Sequence, residues 1–86
     1  MRHAGDQALD RLEPMLTELR ALPQLREKKR GTFYRGPRGF LHFHEDPAGL
    51  FADVRLHEEF ERFDVTTVAQ QRKLMHDVRS ALRIGT

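Results

Sequence analysis

Two turn signals ten residues apart, Gly36-Pro37-Arg38-Gly39 and Asp46-Pro47-Ala48-Gly49, constrain this chain more than any other feature. Each places proline second, where its fixed φ suits a turn, and glycine fourth; Asp46 can also accept a bond from the backbone two residues on. A chain that reverses twice in so short a span builds antiparallel strands, here near 32–35, 40–45 and 50–56. A reversal at Glu58-Glu59 adds a fourth from Phe60 to Val65.

Outside this region the apolar period changes from 2 to 3.6. Leu9, Leu12, Leu16 and Leu19 fall three and four apart, the stripe of an amphipathic helix over about 6–22. Pro14 lacks the N–H that would bond residue 10, which predicts a kink there, and Pro23 ends the helix near Leu22. At the other end Thr67 and Gln70 form a capping box. Val68, Gln71, Met75, Val78 and Leu82, with Leu74 and Ala81 beside them, then predict a helix over 67–83, with Arg79 and Arg83 suiting its C-terminal dipole and Gly85 placed to stop it.

The element order is therefore α-β-β-β-β-α in a single domain over 1–86. Two helices can cover one face of a four-stranded antiparallel sheet, so the expected fold is α+β, a two-layer sandwich with both helices on one face. With 86 residues and no cysteine, neither disulfides nor a thiolate metal site can supplement the core. Asp6, Asp10 and Arg11 interrupt the only stretch where a secretory apolar region would lie, and no run is long enough to span a membrane, so a cytoplasmic protein without membrane partners is expected.

If each four-residue turn joins directly opposed residues, 35 pairs with 40 and 45 with 50. Tyr34, Leu41, Phe43, Leu50, Ala52, Val54, Leu56, Phe63 and Val65 then line the core face. The opposite face collects Phe33, Arg35, Phe40, His42, His44, Phe51, Asp53 and Arg55, with His57, Phe60, Arg62 and Asp64 beyond them. A bulge after Gly49 would instead put His42 and His44 beside Ala52 and Val54 and lose that segregation, so the unslipped register is preferred. Apolar rings on an open face mark an interface. The first functional expectation is thus a non-enzymatic binding or assembly module, with Phe33, Arg35, Phe40, His42, His44, Phe51, Asp53 and Arg55 meeting a protein partner or a second copy. In a homodimer, Arg35 and Arg55 would oppose Asp53 and Asp64 of the other copy.

Two alternatives come from other classes. His42-Phe43-His44 sets two imidazoles on one side of a strand about 6.6 Å apart, with Asp53 opposite and Asp64 one strand further. His42, His44, Asp53 and Asp64 are therefore candidate ligands for a divalent metal, although an H-x-H alone more often marks solvated or hydrogen-bonded histidines. The second alternative is nucleic acid. Arg26, Lys28, Lys29, Arg30, Arg35 and Arg38 oppose only Glu27, giving +5 over 26–38, and they interleave with Phe33 and Tyr34. Residues 39–65 hold seven carboxylates against Arg55 and Arg62, and this −5 would repel a phosphate backbone.

Patterns for catalysis are scarce. There is no G-x-S-x-G, P-loop or G-x-G-x-x-G, Ser80 is the only serine, and no insertion builds a cleft around a His42–Asp53 acid–base pair. No organic cofactor is implied. The segment LPQLREKKRGTFYRGPRGFLHFHEDPAGLFADVRL over 22–56 resembles that of a group of small uncharacterised bacterial proteins built around a FLHFHEDPAGLFADVR-like segment. The resemblance implies a fold and a bacterial cytoplasmic setting, with no established activity. The order helix, LP-x-x-x-E, hairpins, helix is more loosely similar to the MmcQ/YjbR-like proteins, for which DNA binding has been proposed; no motif residue carries across.

Overall fold

Because Pro14 cannot donate to residue 10, the N-terminal helix divides rather than bends. A computed structural model of the chain, describing residues 1–84, begins with a two-residue strand β1 (Arg2–His3), followed by α1 (Asp6–Arg11) and α2 (Glu13–Arg20). Leu12 sits between the helices at φ −98° and ψ 4°, its N–H bonded to the Leu9 carbonyl at 3.0 Å. Pro14 falls in the first turn of α2, where its missing donor costs nothing. The break leaves the apolar stripe intact, because Leu9, Leu12, Leu16 and Leu19 are all buried.

The last helix, α3, spans Val68–Ile84. Its capping box forms as expected: Thr67 N–H donates to Gln70 Oε1 at 2.9 Å and Gln70 N–H donates to Thr67 Oγ1 at 3.2 Å. Leu74, Met75, Val78 and Leu82 face inward, whereas Val68 is exposed. Arg79 reaches Glu18 of α2 at 2.7 Å. Gly85, the expected stop, lies outside the described residues.

Between the helices lie β2 (Arg26–Lys29), β3 (Thr32–Arg35), β4 (Arg38–Asp46), β5 (Gly49–Val54) and β6 (Glu61–Asp64). They form an antiparallel sheet in the order β2-β3-β4-β5-β6, and β1 pairs with β4 off this path. The expectation of four strands and two helices is thus corrected to six strands and three helices among the described residues. Strand β2 carries no apolar alternation to reveal it. It is an edge strand of Arg, Glu, Lys and Lys, and charge of this kind protects an open edge from pairing with other chains.

The β4–β5 register is as expected, with Glu45 opposite Leu50, His42 opposite Asp53 and His44 opposite Phe51. The β3–β4 register is not. Arg35 pairs with Arg38 across a two-residue turn in which Gly36 takes φ 60°, the positive first angle that Gly-first hairpin turns require. A shift at Phe40 then places Phe33 opposite Leu41, one residue from the expected pairing. A one-residue slip exchanges faces, so Phe33 enters the core and Tyr34 turns away from it, with the Lys28 ammonium 4.2 Å from its ring centre. Phe40, in the bulge, also turns inward.

Phe33 is 1% exposed and Phe40 2%. Both join Leu41, Phe43, Leu50, Ala52, Val54 and Val65 in one apolar cluster with the leucines of α1, α2 and α3. Burying such side chains contributes about 1.5–3 kcal/mol each, and this is what holds helices to sheet. The expectation that Phe33 and Phe40 stand on an open face is therefore corrected; of the three rings only Phe51, half-buried, remains there. Among the described residues no helix is long and apolar enough to cross a membrane.

Gly49 fixes the turn that sets His42 against Asp53. Its φ of 149° is unfavourable for other residues, and a Cβ there would collide with Thr66 Oγ1. That hydroxyl is already committed, accepting from Leu50 N–H at 2.9 Å and donating to Asp64 Oδ1 at 2.6 Å. Gly49→Ala is expected to destabilise the fold by about 2–4 kcal/mol, from strain plus overpacking, in urea denaturation. A loss below about 1 kcal/mol would mean that the turn relaxes freely.

Candidate metal centre

The open face of β4 presents His42 and His44, two residues apart and so on one side of the strand. Asp53 lies directly opposite His42 on β5, and Arg62 directly opposite Asp53 on β6. The Arg55 N–H bonds to the Phe40 carbonyl at 2.8 Å, which makes Leu41–Val54 a non-hydrogen-bonded pair and His42–Asp53 a hydrogen-bonded one. These ladders bring one nitrogen from each imidazole and one Asp53 oxygen to within 4.8 Å of one another.

His44 Nε2 lies 3.1 Å from Asp53 Oδ2, and His42 Nε2 lies 3.6 Å from the same oxygen. The His44 nitrogen is buried, yet it makes no hydrogen bond to that oxygen or to any other group among the described residues. A buried ring nitrogen without a partner is costly, so this one is a feature to be explained. Two ligands about 2.1 Å from a tetrahedral metal stand about 3.4 Å apart, a value that the two histidine–Asp53 distances of 3.1 and 3.6 Å bracket.

The charge states follow from the surroundings. Arg62 grips Asp53 through Nε and Nη2, both bonds at 2.8 Å, and this fork holds the carboxyl below its ordinary range against the opposing effect of burial. Burial, aided by the neighbouring His44, holds the His42 imidazolium below its usual stability. Asp53 is therefore an anion and His42 a neutral ring at neutral pH. A fork uses one lone pair of each oxygen, so it orients the carboxylate while leaving lone pairs for another ligand.

Aromatic rings flank the cluster. Phe60 meets His42 edge-on at 5.2 Å, and the Arg55 guanidinium lies over the Phe60 ring at 4.3 Å. His3, from β1, stacks on His44 at 4.9 Å and reaches within 5.9 Å of His42. Sequence reasoning missed His3 because a two-residue strand leaves no periodicity. It also missed Arg62 as the partner of Asp53: a tight reversal at Glu58-Glu59 would oppose Asp53 to Asp64. The real connection is wider, held by Arg55 donating to the Glu58 carbonyl at 2.8 Å, and moves the pairing by two residues.

Asp64, expected as a fourth ligand, is instead opposite Phe51 and binds the Thr66 hydroxyl and N–H. Arg55, expected on an interface, bonds the Gly39 carbonyl at 3.0 Å. Arg35 flanks the Gly36 turn, half-buried. Of the basic residues considered for nucleic acid, Arg26, Lys28, Lys29 and Arg38 are exposed on β2 and at the start of β4. Arg30 is spoken for, meeting Asp6, Asp10 and Glu13 at 3.3, 2.8 and 3.0 Å.

Comparison of the chain with models of known families, with curated proteins and with solved structures finds no match. The functional reading therefore rests on the chemistry of the site.

Proposed function

We propose that this chain is a binding protein for a divalent cation of the zinc class, held on the open sheet face by His42, His44 and Asp53. The observation that carries the reading is the buried, unpartnered Nε2 of His44, 3.1 Å from a carboxylate oxygen that it does not hydrogen-bond. Atoms at ligand–ligand spacing with no hydrogen bond between them suit a shared ion better than a shared proton. Two nitrogens and one oxygen form a donor set that zinc accepts readily, and Arg62 supplies the outer contact that ligating carboxylates usually have. The site is a shallow face walled by Phe60 and His3, which favours binding over turnover of a substrate.

Self-association through the sheet loses its main support, since Phe33 and Phe40 lie in the core and Asp53 is paired with Arg62 of its own chain. The test is thermal unfolding of protein bearing no polyhistidine tag, before and after chelation and on adding Zn²⁺. At a free concentration 100 times Kd, binding adds about 2.7 kcal/mol. For a domain of this size that raises Tm by about 10–20 °C. No shift with Zn²⁺, Mn²⁺, Ni²⁺ or Fe²⁺ would exclude the reading.

A further inference from the structure

We propose that His3 completes the coordination, so that the cation clamps the N-terminal strand onto β4. This rests on the three-residue site above and adds its fourth ligand. A structural zinc site takes four protein ligands, and His42, His44 and Asp53 supply three. His3 is the only other imidazole in ring contact with the cluster among the described residues.

Its position is set by the backbone. Ala4 N–H donates to the Phe43 carbonyl at 3.0 Å, which makes the opposed His3–His44 pair a non-hydrogen-bonded one, where side chains approach most closely. Directly opposed residues share a face, so His3 stands on the side that carries His42 and Asp53. Its side chain is exposed and rests against His44 and His42 through ring contacts, so a change of rotamer toward the cluster meets little resistance.

The strand itself is weakly held. It has two residues, and its side-chain anchor is Arg2 on Glu45 at 3.0 Å, with Arg2 79% exposed and its ion pair correspondingly weak. Glu45 also accepts from Gly5 N–H at 2.6 Å. A metal–nitrogen bond from His3 would tie this segment to the centre of the sheet, and cation binding would then be felt at the start of α1.

The experiment measures Zn²⁺ affinity by calorimetry and hydrogen exchange of the Ala4 amide, in untagged wild type, His3→Ala and His57→Ala. His57 is exposed and outside the cluster, and serves as the control. His3→Ala should weaken Zn²⁺ binding by at least the roughly 10-fold that loss of even a supporting residue costs. His57→Ala should bind as wild type does. Saturating Zn²⁺ should slow Ala4 exchange in wild type and leave it unchanged in His3→Ala. If wild type binds but His3→Ala has the same Kd and Ala4 exchange ignores the metal, the clamp is refuted while the three-residue site stands. If wild type binds no Zn²⁺, the site fails and the clamp with it.

Discussion

Phe33→Ala is expected to lower the free energy of unfolding by about 3–5 kcal/mol, because it empties the space of a fully enclosed ring between the sheet and the helices. Domains of this kind are stable by only about 5–15 kcal/mol, so the variant should lie near the edge of folding, with Tm lower by more than about 12 °C. Phe51→Ala, on the half-buried open face, should cost less than half as much. The pair of urea titrations separates the two possible registers of β3. With Phe33 on the outer face, its truncation would cost about 1 kcal/mol or less, in line with surface changes. Equal small losses at Phe33 and Phe51 would return Phe33 to the solvent side and revive the adhesive-face reading.

Asp53→Asn carries the second large effect. The substitution keeps shape and removes charge, so the core beneath should be undisturbed while the anionic ligand is lost. Zn²⁺ affinity should fall at least about 100-fold, the upper end of what supporting residues alone are worth. Folding without metal should weaken by only about 1 kcal/mol, since Arg62 is half exposed and its ion pair is partly screened. Asp64→Asn is the matched control: Asp64 serves Thr66, so its loss should leave Zn²⁺ affinity unchanged. Parallel losses at the two aspartates would indicate diffuse attraction by negative charge rather than a built site.

The parts of this molecule that could be read in advance are those where a local rule acts alone. Thr67 and Gln70 cap α3 because the box needs only four residues, and Asp46 accepts from Ala48 N–H because an aspartate two residues upstream can do so anywhere. His42 and Asp53 meet because Pro47-Ala48 closes a turn of the expected length. The failures occur where two devices combine. The turn centres on Gly36-Pro37, one residue earlier than its pattern suggests, which moves the pairing by two residues, and the bulge at Phe40 recovers one of them. Either alone preserves or shifts the register in a recognisable way; together they move Phe33 from one face to the other.

Of the candidate cluster, His42, His44 and Asp53 could be named from the sequence because neighbouring strands joined by a tight turn place them. Asp64 lies opposite Phe51 and apart from them, because the β5–β6 connection depends on Arg55 reaching the Glu58 carbonyl, a tertiary contact. His3 was invisible for a related reason. Its approach depends on pairing over forty residues of separation, and nothing within Met1-Arg2-His3 itself signals a strand.

The most direct measurement is anomalous diffraction at the zinc edge from crystals of untagged protein grown with Zn²⁺. The expected result is one strong peak about 2.0–2.2 Å from His42, His44 and Asp53 at once, with the His3 ring turned toward it. No peak there, with His44 Nε2 bonded to water or to the Asp53 carboxylate instead, would contradict the site.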